Sequence, residues 1–227
     1  MRSSKKQWRL LTLVSLVMAA NAAAQSTPDP QEHEPFNYFA LHLGKHDVQA
    51  WPALVSLGNG IEFDGQVLLD DKLAFGLQVG REYEKYRYDI EYQRGAYKAS
   101  NISLNALSQA VSGSGHYQAL TLNAYRMKDF SERTNGYIGA GIGYGAAQLP
   151  QMGFSAGCQC FPEADSSGFV WQARIGIERL IGEHSRLGLQ YSRIFDMPGP
   201  SSGRAAPSVQ YPDKDIDYLS IVYRRDF

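Results

Sequence analysis

What most constrains this chain is a two-residue alternation of apolar and polar side chains, recurring along most of its length. Beyond residue 24 no apolar run reaches the roughly 18 residues with which a helix could cross a bilayer. Leu73, Phe75, Leu77 and Val79 alternate with Ala74, Gly76, Gln78 and Gly80, and Tyr86, Tyr88, Ile90 and Tyr92 alternate with Arg87, Asp89, Glu91 and Gln93. A helix would scatter those charges around its circumference, whereas a strand puts them all on one face. The pattern returns at Leu120, Leu122 and Ala124, at Ile138, Ala140, Ile142 and Tyr144, and at Phe169, Trp171, Ala173, Ile175 and Ile177. Leu187, Leu189 and Tyr191 follow, then Leu219, Ile221, Tyr223 and Phe227. A weaker instance lies at 36–46, where Phe39, Leu41 and Leu43 oppose Ala40, His42 and Gly44.

The connections alternate in length. Short ones fall near 84–85, 128–135 and 182–185, and long ones at 47–72, 99–115, 148–168 and 196–215. Short turns at one end and long loops at the other are the mark of a membrane barrel. A soluble sandwich gives no reason for such regularity and leaves two sheet edges to protect. The chain is therefore expected to be all-β, a closed up-and-down antiparallel transmembrane β-barrel of about eight strands occupying 36–227. Residues 51–57 and 61–69 also alternate around Gly58–Asn59–Gly60, which predicts either a hairpin in the first external loop or a ten-stranded barrel. Asp64, Asp70, Asp71 and Lys72 fit poorly in a lipid-facing run, which favours eight. Tyr86, Tyr88, Phe169, Trp171, Tyr191, Tyr223 and Phe227 are placed as interfacial aromatics.

The N-terminus carries Arg2, Lys5, Lys6 and Arg9, then an apolar stretch from Leu10 to Ala20, then Ala22–Ala23–Ala24. This predicts a cleaved signal peptide over 1–24, a short linker over 25–35, and export. No cysteine closely follows the apolar stretch, so a lipoprotein site is not expected. Removing those four bases from 22 leaves 18 against 23 acids, a mildly acidic mature chain that disfavours nucleic acid as a partner.

The ending from Asp217 to Phe227, with Leu219, Ile221, Tyr223 and Phe227 in alternation, resembles the C-terminal assembly signal of Gram-negative outer-membrane proteins; Arg225 departs from it. With the glycine-rich strand at 136–147, the stretch 36–227 resembles the small barrels of the OmpA-like and opacity-type surface-protein families. The resemblance implies the cell outer membrane, with its lipid and lipopolysaccharide as surroundings. It also implies the barrel-assembly machinery as a partner and an extracellular ligand or host surface as a possible one. It carries no catalytic fingerprint, and the same architecture hosts adhesins, anchors, narrow channels and a few lipid-modifying enzymes.

In an eight-stranded barrel the inward side chains fill the interior. Arg87, Asp89, Glu91, Arg174, Glu178 and Arg224 are expected to form a polar network there, with Gln78, Gln93, Gln190 and Tyr218, and to block a pore. Lipid A deacylase barrels carry a His-x-Ser arrangement after a tyrosine in the penultimate strand; the matching Tyr191–Ser192–Arg193–Ile194–Phe195 has Arg193 and Phe195 where base and nucleophile would stand. His184–Ser185 falls in a turn on the wrong side, His116 falls in a glycine-serine loop, and His42 with His46 is a weak metal signal. No catalytic residue, metal or cofactor is expected. Cys158 and Cys160 are read as a small, strained disulfide, with a soft-metal thiol pair or an interchain bridge as alternatives. Trp51, Tyr97, Tyr117, Phe154, Phe161 and Tyr211 fall in the predicted external loops, where they either make adaptable contacts or are merely tolerated. The function expected is a surface scaffold for external loops, serving surface interaction or envelope integrity; a narrow small-solute channel and a lipid A hydrolase are the alternatives.

Overall fold

The computed structural model describes residues 35–227, except 49, 59, 156 and 204. The expected signal peptide and all of the linker but its last residue lie outside the described residues. Ten strands follow one another: β1 (Phe36–Asp47), β2 (Ala50–Gly58), β3 (Ile61–Tyr83), β4 (Tyr86–Leu104), β5 (Leu107–Ser131), β6 (Thr134–Leu149), β7 (Ala164–Leu180), β8 (Ser185–Met197), β9 (Ser208–Gln210) and β10 (Lys214–Asp226).

Eight of them close a ring in the order β1-β10-β8-β7-β6-β5-β4-β3, returning to β1. The seam joins the first and last strands, from Tyr38 opposite Asp226 to Asp47 opposite Asp217. It is tied off by paired backbone hydrogen bonds between Asn37 and Phe227, at 3.2 and 2.8 Å. At one end the strands turn tightly through 84–85, 132–133 and 181–184. Closure is what lipid demands, since each unpaired backbone group in hydrocarbon costs several kcal/mol.

β2 and β9 stand outside this ring, so the hairpin alternative for the first loop is the one found. β3 changes partner along its length: it pairs with β1 from Leu73 to Glu82 and with β2 from Ile61 to Leu68. β2 then pairs with β9, and bridges from Gln210 to Ser201 and from Ser201 to Asp165 carry the wall round to β7. A second, shorter enclosure therefore sits on top of the first.

One expectation is corrected. Residues 99–115 are not a loop: β4 runs on to Leu104 and β5 begins at Leu107, joined by a hairpin at Asn105–Ala106. A bulge between Ala99 and Asn101 shifts the phase there, which hid the continuing alternation. His116 accordingly lies on β5, not in a flexible loop.

The barrel reverses its polarity partway up. Near the tight turns, Leu41, Leu77, Ile90, Leu122 and Ile221 face outward and are exposed, while Arg87, Glu91, Gln172 and Arg224 are buried inside. Beyond a level marked on the outer face by Lys45, Lys72, Arg94, Gln118 and Arg193, the interior turns apolar and the outer face bears Glu62, Asp64, Gln66 and Ser114. The first part is built for lipid outside, the second for water outside.

Inward glycines on β6 give the larger side chains of β5 room to lie across the lumen. A Cβ at Gly139 would stand 2.2 Å from Tyr125 Cδ1 and 2.8 Å from the Ala124 carbonyl oxygen. Gly139→Val is expected to destabilise the folded barrel by about 1–3 kcal/mol, read as a lower unfolding midpoint in a heat-modifiability gel assay.

Candidate functional site: a lumen filled from end to end

Nearest the tight turns, charges from five strands converge. The Arg87 guanidinium donates to Glu82 on β3 (2.9 Å) and to Glu178 on β7 (2.6 Å), and Arg224 on β10 contacts the same two carboxylates at 2.5 and 3.1 Å. Arg186 on β8 lies 3.6 Å from Asp226, which in turn meets Arg224 at 3.1 Å. The arginines also lie over aromatic rings: Arg87 is 5.1 Å from the Tyr137 centroid, and both Arg87 and Arg224 are 5.2 Å from that of Tyr38. Three guanidinium groups thus meet three carboxylates, which lets this many buried charges coexist in one narrow lumen.

One layer further in, the Tyr38 hydroxyl donates to Asp89 (2.6 Å) and so does the Asn123 amide (2.6 Å). Arg174 pairs with Glu91 and donates to the Tyr125 hydroxyl and to Gln172. Gln172 bridges to Thr121 and Asn123, each at 2.6 Å. Gln190 accepts from Tyr137 at 2.9 Å and lies 3.3 Å from His42 Nδ1. The structure thus brings together all six charged residues singled out in the sequence. Glu82, Asp226 and Arg186, which sequence reasoning missed, join them. Glu82 and Asp226 belong to strands at their turn ends, where the apolar alternation that would mark an inward position has already faded.

Above these layers comes an apolar plug. Trp51, Tyr97, Tyr117, Phe161 and Tyr211 are almost wholly buried, packed with aliphatic side chains such as Ile102, Leu149 and Ile216. Their expected placement in open external loops is corrected, since they line the inside of the upper enclosure; Phe154 is only partly buried against it. Two of the polar tips find backbone partners, Trp51 Nε1 donating to the Pro212 carbonyl (2.9 Å) and the Tyr97 hydroxyl to the Gln148 carbonyl (2.7 Å). Lys214 donates to the carbonyls of Val48 and Ala50 and lies 5.9 Å from the Trp51 ring, pinning β10 to the start of β2. Burial alone drives the Tyr211 hydroxyl well above its ordinary pKa.

The remaining candidates stay apart. Arg193 points outward and pairs with Asp215 at 3.0 Å and Asp217 at 3.8 Å, and Phe195 stacks on Trp171 with centroids 3.7 Å apart. Ser192, between them, is buried on the inner face. His42 and His46 are both inward and buried, and no metal-holding group of His, Cys, Asp or Glu occurs among the described residues. His184 lies in the tight turn. Cys158 and Cys160 are joined in a disulfide in the loop between β6 and β7, where Phe154 N–H donates to the Cys158 carbonyl at 2.8 Å. Leu219, Ile221 and Phe227 are exposed on the outer face, and Tyr223 is partly covered there.

A closed eight-stranded ring with an apolar outer band, a polar filled lumen, tight turns at one end and long connections at the other is a small outer-membrane β-barrel, with the tight turns periplasmic. Two solved structures share this fold. Neisserial surface protein A aligns over 86% of this chain and 100% of its own, at 15% identity and a TM-score of 0.53. The outer membrane protein OprG from Pseudomonas aeruginosa aligns over 86% and 99%, at 10% identity and 0.56. The outer membrane protease OmpT from Escherichia coli also aligns, over 89% and 100%, at 6% identity and 0.44. No protein-family model matches the chain, and no curated protein matches it in sequence.

Removing the Arg87 guanidinium leaves two buried carboxylates, Glu82 and Glu178, to share the single charge of Arg224. Arg87→Met is expected to cost about 3–5 kcal/mol and Glu82→Gln distinctly less, measured as the shift in urea unfolding of the barrel in detergent micelles.

Proposed function

We propose that this barrel is a non-conducting, non-catalytic scaffold that holds a rigid extracellular cap at the cell surface, for surface interaction or envelope integrity. The observation that carries this reading is the double filling of the lumen. A water path would have to cross the Arg87, Glu82 and Glu178 layer and then the plug around Trp51, Tyr97 and Phe161. Buried, mutually paired charges do not move aside without losing their partners, and an apolar constriction excludes water.

Two further features support a scaffold over an enzyme. Arg193 is engaged by two carboxylates, and Phe195 is stacked on Trp171, so the positions aligned with a deacylase base and nucleophile carry groups that can do neither task. The cap is made of hydrogen-bonded strand and a packed core, which presents outside groups in fixed positions. Recognition by such a surface loses little conformational freedom on binding.

In planar bilayers the refolded protein is expected to show no steady unitary conductance. Reproducible openings would remove the scaffold reading in favour of the channel. Incubation with lipid A followed by mass analysis is expected to leave every acyl chain in place. Trp51→Ala is expected to loosen the cap by about 3–5 kcal/mol while leaving the ring closed. It would be seen as faster proteolysis of the external segments without loss of the heat-modifiable band.

A further inference from the structure

The two flanks of the upper enclosure are finished differently. On one, the edge of β2 is covered by β9, from Leu54 opposite Gln210 to Ser56 opposite Ser208. On the other, β5 rises alone. Its ladder with β6 starts at His116 opposite Gln148, so residues 107–114 pair with β4 on one side and with no described residue on the other. β6 cannot follow, because Pro150 comes directly after its last residue and has no N–H to give to a ladder.

The segment after Pro150 contacts the inward face of this strand. Gln109, Val111 and Gly113 are half-buried there, whereas Ser108, Ala110, Ser112 and Ser114 are exposed outside. Ser155 donates from its N–H and its hydroxyl to Gln109 Oε1 at 2.8 and 2.9 Å, and a Cβ on Gly113 would stand 2.6 Å from Pro150 Cγ. The hairpin itself is held upright, with Asn105 N–H donating to the Asp64 carbonyl of β3 at 3.0 Å. Counting from its two-residue turn, Leu104 and Leu107 exchange backbone hydrogen bonds and Ser103 and Ser108 do not. The N–H and C=O of Ser108 and Ala110 therefore point away from β4, along the free edge.

Free edges of natural sheets carry lysine, proline or charges that deter pairing. This one carries none, since no Asp, Glu, Lys or Arg occurs between Lys98 and Arg126. We infer that the free edge of β5 receives an extended segment of another polypeptide outside the cell, uncharged and apolar at alternate positions, added as a further strand. This rests on the scaffold reading, because only a fixed hairpin offers its backbone groups at strand spacing. Backbone hydrogen bonds supply the affinity and alternate side chains the selection. The segment's inward side chains would lie toward Val111 and Phe154, both only partly buried against the cap core. Its outward ones would lie beside Ser108, Ala110 and Ser112, which are too small to obstruct them.

A second copy in the same membrane does not fit. Antiparallel pairing of one edge with its own copy needs a two-fold axis perpendicular to the sheet, which turns the second barrel upside down. A two-fold along the membrane normal instead leaves the two strands crossing at twice their tilt, about 70–90°.

The test uses the whole mature protein in nanodiscs and fluorescence anisotropy of a labelled peptide of alternating valine and threonine. Alternate residues of this probe are N-methylated, so that only one of its edges can pair; the control peptide is N-methylated throughout. Wild type is expected to bind the probe saturably, with the same affinity between about 50 and 500 mM salt, and not to bind the control. Ala110→Pro, which removes one free N–H without touching the β4 ladder, is expected to weaken binding on the order of tenfold. Leu54→Ser with Leu68→Ser, exposed elsewhere on the cap, is expected to leave it unchanged. Absence of saturable binding, equal binding of the control, or an unchanged Ala110→Pro variant overturns the site. Dimerisation of the protein that the probe reverses makes a second copy the occupant and overturns the assignment to a foreign segment. If Ala110→Pro lacks the heat-modifiable band, the two peptides compared on wild type decide the matter. Conductance and lipid A chemistry decide the scaffold reading, and none of these outcomes touches either.

Discussion

The structure depends on one constraint: within hydrocarbon a backbone N–H or C=O has no solvent to turn to, so every strand must be paired on both sides. The seam between β1 and β10 meets this condition by joining the two ends of the ring. Once the ring is closed, the rest follows from geometry. Alternate side chains must meet lipid, the others must share a narrow interior, and whatever polarity they bring inside must be matched there. The arginine and carboxylate layer on β3, β4, β7 and β10 is that match.

The same wall obeys the opposite rule above the bilayer. There water surrounds the strands and the hydrophobic effect acts inward, so the interior holds Trp51, Tyr97 and Phe161, and the exterior carries carboxylates, amides and hydroxyls. β4 records the change within a single strand. Its inward face reads Arg87, Asp89, Glu91 and Gln93, then Tyr97, Ala99 and Ile102. Membrane barrel and soluble domain are thus stacked end to end and share several continuous strands.

That stacking explains what the sequence could and could not disclose. The lipid-embedded part was legible because Leu, Ile and Tyr alternate with strong polar residues, and because Glu84–Lys85 marks a tight turn. The inward placement of Arg87, Glu178 and Arg224 followed from parity alone. Above residue 93 the alternation does not stop but changes phase. Bulges at Lys72–Leu73 and near Ser100 break the count, and Ser, Gly and Ala reduce its contrast. With 99–115 read as loop, Tyr97 and Tyr117 at its margins looked like surface aromatics. The pairing of Arg87 with Glu82, by contrast, depends on which strands face each other across the lumen, and a linear pattern does not contain that.

The hairpin at Asn105–Ala106 and the bridges through Ser201 mean that what another molecule meets outside the cell is a lattice, not a set of dangling segments. Neighbours on that lattice come from remote parts of the chain: Leu54 lies beside Gln210, and Gly65 beside Leu104. An immune receptor raised against a short synthetic fragment of it would meet a shape absent from the intact cell. Variation at one rim position would be felt by residues more than a hundred places away in sequence.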